Sequence, residues 1–104
     1  MKIHYRNNKL QKILENKKKL VQVYGSENAL KIAVRVTDLE AADCLEDMPP
    51  AGRPHPHKGG RKGLFSLDLK HPFRLIIRPV GEFEIEDYST IIEVEIYQIM
   101  DPHS

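Results

Sequence analysis

Between Met48 and Gly63 the chain carries four prolines and four glycines. That density forbids a helix or a central strand, because proline removes a backbone donor and glycine adds freedom that regular structure must freeze. The stretch reads as a loop, and it divides two different hydrophobic periods. Upstream, apolar residues recur at helical spacing. Downstream they fall on every second residue. The order of structure is therefore helices first and strands after.

In the upstream part, Lys2–Tyr5 reads as a short first strand. From Asn7 or Asn8, Leu10, Ile13 and Leu14 follow the helical period towards Lys17 and Val21, with lysines on the other side. Gly25 is a stop signal and Ser26 an N-cap for a second helix. That helix is expected from Glu27 to Leu45, with Leu30, Ala33, Val34, Leu39, Ala42 and Leu45 on its buried side. Cys44 reads as a small buried residue of the same helix. Downstream, Phe65, Leu67 and Leu69 alternate with Ser66, Asp68 and Lys70, as a half-buried strand requires. Lys70-His71-Pro72 is a turn, and Phe73–Arg78 reads as a central strand. An acidic loop follows from Gly81 to Thr90, and Ile92, Val94 and Ile96 mark a last strand. The sequence predicts an α+β fold, with an N-terminal helical hairpin packed on one face of an antiparallel sheet of three to four strands. At 104 residues this is one domain, 1–104, with one modest core.

Apolar residues are 40% of the chain and charged residues 30%, as in soluble globular proteins. No apolar run approaches the roughly 20 residues of a membrane span, and the N-terminus has no secretory stretch. The lone Cys44 excludes an intramolecular disulfide and fits a reducing compartment, so a cytoplasmic location is expected. Net charge is +1, but it is strongly segmented: +6 over residues 1–20, −4 over 21–52, +6 over 53–78 and −7 over 79–104. The two basic blocks either converge on a polyanion or form solvated faces that the acidic blocks neutralise.

Three groups of residues carry chemistry. His55-Pro56-His57-Lys58-Gly59-Gly60-Arg61-Lys62-Gly63 combines imidazoles, which move protons near neutral pH, with cations that hold phosphate oxygens. It lacks the spacing of a nucleotide-hydrolase phosphate loop. The alternative is a solvated basic turn. Asp101-Pro102-His103 places a carboxylate beside an imidazole; by alternation Tyr97, Asp101 and His103 share a face, unless the chain end frays. Arg74 and Arg78 share one face of their strand. Either they form an open anion site, or they pair with Glu93 and Glu95, the commoner outcome for such residues. His55, His57, His71, His103 and Cys44 show no zinc-ligand spacing, so no metal and no cofactor is expected.

Together these stretches resemble the RelE/ParE superfamily of bacterial toxins, most closely its HigB-type killer branch. His55 to Ser66 is similar to the branch's H-P-L-K-G-D-x-x-G-x-W/F-S/A loop and strand. His71-Pro72-Phe73-Arg74-Leu75-Ile76 is similar to its x-x-W/Y-R-L/I-x-F strand, and Val94-Glu95-Ile96 through Asp101-Pro102-His103 to its V-x-I…D-Y-H ending. The resemblance implies a toxin, neutralised by a helix-turn-helix antitoxin of the HigA type, that acts as an endoribonuclease on messenger RNA at the ribosome. Carried onto this sequence, the catalytic positions are His55, Lys58, Arg74, Asp101 and His103. Arg53, His57, Arg61, Lys62 and Arg78 are the candidate RNA contacts. The implied reaction is attack of a 2′-hydroxyl on the adjacent phosphate. His103 or Asp101 is the base and His55 the acid, or the reverse; Lys58 and Arg74 hold the phosphoryl oxygens. The basic blocks would bind messenger and ribosomal RNA phosphates. Two positions depart from the pattern: Pro102 replaces a tyrosine, losing ring and hydroxyl, and His57 replaces a leucine. A gyrase-directed toxin of the ParE type, and a degenerate toxin homologue that only binds its antitoxin, are the alternatives.

Overall fold

A parallel strand pair needs a long crossover, and this chain supplies one by sending its first strand across to pair with its last. A computed structural model of the protein describes residues 1–57 and 63–101. Strand β1 (Lys2–Tyr5) is followed by helices α1 (Asn8–Leu14) and α2 (Lys17–Ala41), then by β2 (His55–Pro56), β3 (Phe65–Asp68), β4 (Arg74–Pro79) and β5 (Glu93–Met100). The strands form a five-stranded mixed sheet in the order β1-β5-β4-β3-β2. Only β1 and β5 run parallel, with Ile3 opposite Val94; the other pairs are antiparallel. The α+β architecture agrees with the sequence. The strand number and the wholly antiparallel sheet do not, because β1 joins in parallel and Pro56 takes part in a two-residue edge strand where only loop was expected. An edge strand tolerates proline, since one side of its backbone has no partner to lose.

The helices break in a different place from the one expected. The first helix does not continue towards Gly25 but ends at Leu14, and Asn16 caps a new one by accepting from the Lys19 amide at 3.1 Å. Asn7 caps α1 in the same way, accepting from Leu10 at 2.8 Å. Both caps satisfy amides that the first helical turn leaves without partners. Gly25 does interrupt the helix: its φ of 82° and ψ of 162° divide α2 into two helical arms. A side chain there would strain the backbone. The helix ends at Ala41 rather than Leu45, and Leu45–Asp47 forms a 3-10 turn that Cys44 precedes. Cys44 is therefore not helical, and it is only half-buried.

The buried stripe of α2 is also shifted. Leu39, Ala42 and Leu45 are buried as expected, but Leu30 is 67% exposed, Val34 is 43% exposed, and Ala33 faces solvent. Leu20, Ala29 and Ile32 are buried instead, together with the polar Asn28 and Arg35. Both stripes fit the helical period. Two hydrogen bonds fix the observed one: the Lys70 amide donates to Asn28 Oδ1 at 3.0 Å, and Arg35 Nε donates to the Asp68 carbonyl at 3.1 Å. Asn28→Ala leaves the Lys70 amide without this acceptor and is expected to cost about 1–3 kcal/mol of stability. Urea unfolding measures it, and an unchanged midpoint would refute the role given to Asn28.

The core lies between α2 and one sheet face. Phe65 and Leu67 of β3, Leu75 and Ile77 of β4, and Val94 and Ile96 of β5 join Ile32 and Leu39 in a single cluster. Ile92 was expected to belong to it. It is 61% exposed, because Ile91 is the residue that turns inward and β5 begins only at Glu93. Likewise β4 is one residue later than expected, spanning Arg74–Pro79 rather than Phe73–Arg78. No helix of the described residues is long and apolar enough to cross a membrane.

Candidate active site

Alternation sends Ser66 and Asp68 of β3, and Arg74, Ile76 and Arg78 of β4, to the sheet face opposite the core residues. Strand register then decides which of them meet. His55 lies opposite Ser66, Asp68 opposite Arg74, and Arg74 opposite Met100. This side-by-side arrangement gathers residues that the sequence keeps far apart.

The histidines reach this face through β2. His55 Nε2 lies 3.8 Å from Asp68 Oδ2, and both side chains are more than half exposed. His57 Nδ1 makes a 2.9 Å hydrogen bond with Ser66 Oγ, the tautomer deciding which group donates. The His57 amide also donates to the Leu64 carbonyl at 2.9 Å, which anchors the strand end. Behind β2, the 3-10 turn Pro50–Gly52 packs against Arg35. A Cβ on Gly52 would sit 3.1 Å from Arg35 Cδ, so glycine permits that close approach. His57 thus has an orienting hydroxyl, whereas His55 has a carboxylate within ion-pair range but beyond hydrogen-bond distance. Ser66 and Asp68 were read from the sequence only as the polar half of an alternating strand; their roles come from the register.

The two strand arginines part company. Arg78 Nε donates to Glu95 Oε2 at 3.0 Å, and this hydrogen bond holds its guanidinium even further above neutrality than usual. Arg74 is exposed, and no ion pair among the described residues engages it. One arginine takes the pairing expected of both, and the other is exposed with no ion pair among the described residues. Glu93, the second expected partner, pairs instead with His4 Nε2 at 2.6 Å across the β1–β5 edge. The short first strand that makes this contact was visible in the sequence; its parallel pairing beside β5 was not.

At the chain's acidic end, a bulge changes the geometry. Ile76 pairs with Gln98 but Ile77 with Ile96, which leaves Tyr97 as the extra residue. Simple alternation from Tyr97 to Asp101 therefore fails. Met100 stands opposite Arg74, and Asp101 follows directly after the strand. Arg53 is exposed and lines a separate hollow of about 250 Å³ with Glu46, Met48 and Tyr88, a hollow that His55, His57 and Arg74 do not share. Lys58, Arg61, Lys62 and His103 lie outside the described residues.

Cys44 donates to Asp47 Oδ2 at 3.4 Å; partial burial and that carboxylate push its thiol above the ordinary range, away from the reactive thiolate form. His71 is exposed in the β3–β4 turn. Among the described residues no three His, Cys, Asp or Glu side chains gather as metal ligands.

The described site thus holds two imidazoles, a carboxylate and a guanidinium that no ion pair among the described residues engages, set around the buried Ser66 and Ile76 of the same sheet face. Such a set can move a proton and hold a phosphoryl group together. No protein-family model, curated protein or solved structure matches the chain.

Proposed function

We propose that the protein is a toxin of a type II toxin–antitoxin system, an endoribonuclease that cuts messenger RNA on the ribosome in the manner of the HigB-type branch it resembles. The observation that carries this reading is that His55 and Arg74, 19 residues apart in sequence and both exposed, flank the same carboxylate: His55 lies 3.8 Å from Asp68, and Arg74 is the cross-strand partner of Asp68. Arg74 holds the phosphate to be cut, with Lys58 as its second cation. A base takes the proton of the RNA 2′-hydroxyl, the freed oxygen attacks the adjacent phosphorus, and the 5′-oxygen leaves with a proton from the acid. The products are a 2′,3′-cyclic phosphate and a 5′-hydroxyl end. His55 serves as acid with Asp101 or His103 as base, or with the roles exchanged. His57, Arg53, Arg61, Lys62 and Arg78 contribute to RNA binding. The partner that silences the protein is a helix-turn-helix antitoxin, and both act in the cytoplasm.

Inducible expression tests the proposal. Growth arrest with new 5′ ends inside messages, both lost with His55→Ala at equal protein level, is the expected result. Arrest with intact messages and damaged DNA would replace it with a gyrase-directed toxin. Neither arrest nor cleavage would leave a degenerate toxin, the outcome that Pro102 in place of the family's tyrosine favours. RNA affinity should also fall steeply with salt. Contact with three phosphates of a single strand gives a slope of about −2 in log affinity against log salt. A flat response in a binding titration would exclude phosphate recognition by the basic groups.

A further inference from the structure

At the sheet edge opposite β2, a hollow of about 240 Å³ opens between the end of β1, α1 and the middle of β5. Arg6 and Lys9 give it two cations, Tyr97 and Tyr24 two rings, and Gln98 an amide; no carboxylate among the described residues lines it. Leu10 and Ile99 supply apolar surface beneath these groups.

The central pair is built by the backbone. The bulge leaves Tyr97 outside the β4–β5 pairing, and a bulge of this kind re-aims the side chain that it carries. The Arg6 amide donates to the Ile96 carbonyl at 3.0 Å, which fixes Arg6 beside Tyr97. The Arg6 guanidinium then lies 4.1 Å over the centre of the Tyr97 ring. A guanidinium stacked in this way keeps its outer N–H edge for a phosphate, and flat groups of this kind are what unpaired bases stack on. Cations without anions select a negative ligand, and rings with apolar surface select a flat one. A nucleotide has both properties. The hollow also lies on the strand that leads to the proposed cleavage site: from Tyr97 to Met100, the partner of Arg74, is about 10 Å along β5.

We infer that Arg6, Lys9 and Tyr97 form a second subsite, which stacks one unpaired base of single-stranded RNA and holds its phosphate. For the identity of the polymer the inference rests on the function proposed above; the ligand chemistry rests on the hollow itself. Tyr24 borders the site with a hydroxyl that burial holds above its ordinary range, so it stays protonated and able to donate.

The test is a titration of the full chain with a 2′-O-methyl tetranucleotide, which binding alone can report because it offers no 2′-hydroxyl for attack. Backbone NMR signals of Arg6, Tyr97 and Gln98 are expected to shift saturably. Tyr97→Ala and Arg6→Ala should each weaken binding by about tenfold, while Tyr97→Phe, which keeps the ring, should not. A duplex of the same sequence, whose bases are already paired, should leave these signals in place. Unchanged affinity in both alanine variants, or equal shifts with duplex, overturns the subsite. Saturable shifts at Tyr97 in a protein that cuts no message would uphold the subsite and refute the nuclease.

Discussion

Arg74→Ala is expected to slow RNA cleavage by about a hundredfold, the usual cost of removing one preorganised contact to a developing negative charge. The side chain is exposed and engages no ion pair among the described residues, so its loss strands no buried charge. Stability should therefore stay within about 0.5 kcal/mol of the parent. Arg74→Lys keeps the charge but not the two-pronged geometry, and should recover only part of the rate. Arg78→Ala is the contrasting variant. Its guanidinium is already held by Glu95, and its removal should weaken RNA binding far more than it slows the chemical step. Single-turnover cleavage and a thermal melt on the same samples separate these effects. A wild-type rate in Arg74→Ala would remove Arg74 from the site.

The second large effect is on stability. Ile32 is 1% exposed within the core cluster, so Ile32→Ala is expected to cost about 2–5 kcal/mol through lost burial and the cavity left behind. For a domain of this size that lowers the melting temperature by at least about 8 °C. Leu30→Ala, two residues earlier on the opposite side of the helix, should change stability by no more than about 0.5 kcal/mol. The reverse ranking would mean that α2 buries the other stripe.

That pair of variants marks where sequence stops being informative. Periodicity separates helix from strand because the periods of 3.6 and 2 are set by backbone geometry. Phe65, Leu67, Leu75, Val94 and Ile96 are accordingly buried as their alternation predicts. It does not choose between two apolar stripes on one helix. Here the choice follows from Asn28 and Arg35, polar residues whose partners are backbone groups beyond the reach of local pattern. The caps at Asn7 and Asn16 were readable in principle, since asparagine is a strong N-cap, but the apolar spacing that runs through Asn16 conceals the break. Strand order was less legible. Short links make consecutive strands neighbours, as β3, β4 and β5 are, whereas pairing of β1 with β5 depends on a crossover of most of the chain.

For the candidate site, residue types were legible and register was not. The sequence singles out His55, His57, Arg74 and Arg78. It does not show that Asp68 stands between His55 and Arg74, that Ser66 holds His57, or that Glu95 takes Arg78 and leaves Arg74 open. A single bulged residue, Tyr97, was enough to undo the alternation expected as far as Asp101.

End-group analysis of message cut by the purified protein on ribosomes addresses the central claim without reference to growth or binding. The account predicts 2′,3′-cyclic phosphate and 5′-hydroxyl ends, both disappearing in His55→Ala and in Arg74→Ala. Ends carrying a 3′-hydroxyl and a 5′-phosphate, or cleavage that survives both substitutions, would contradict it.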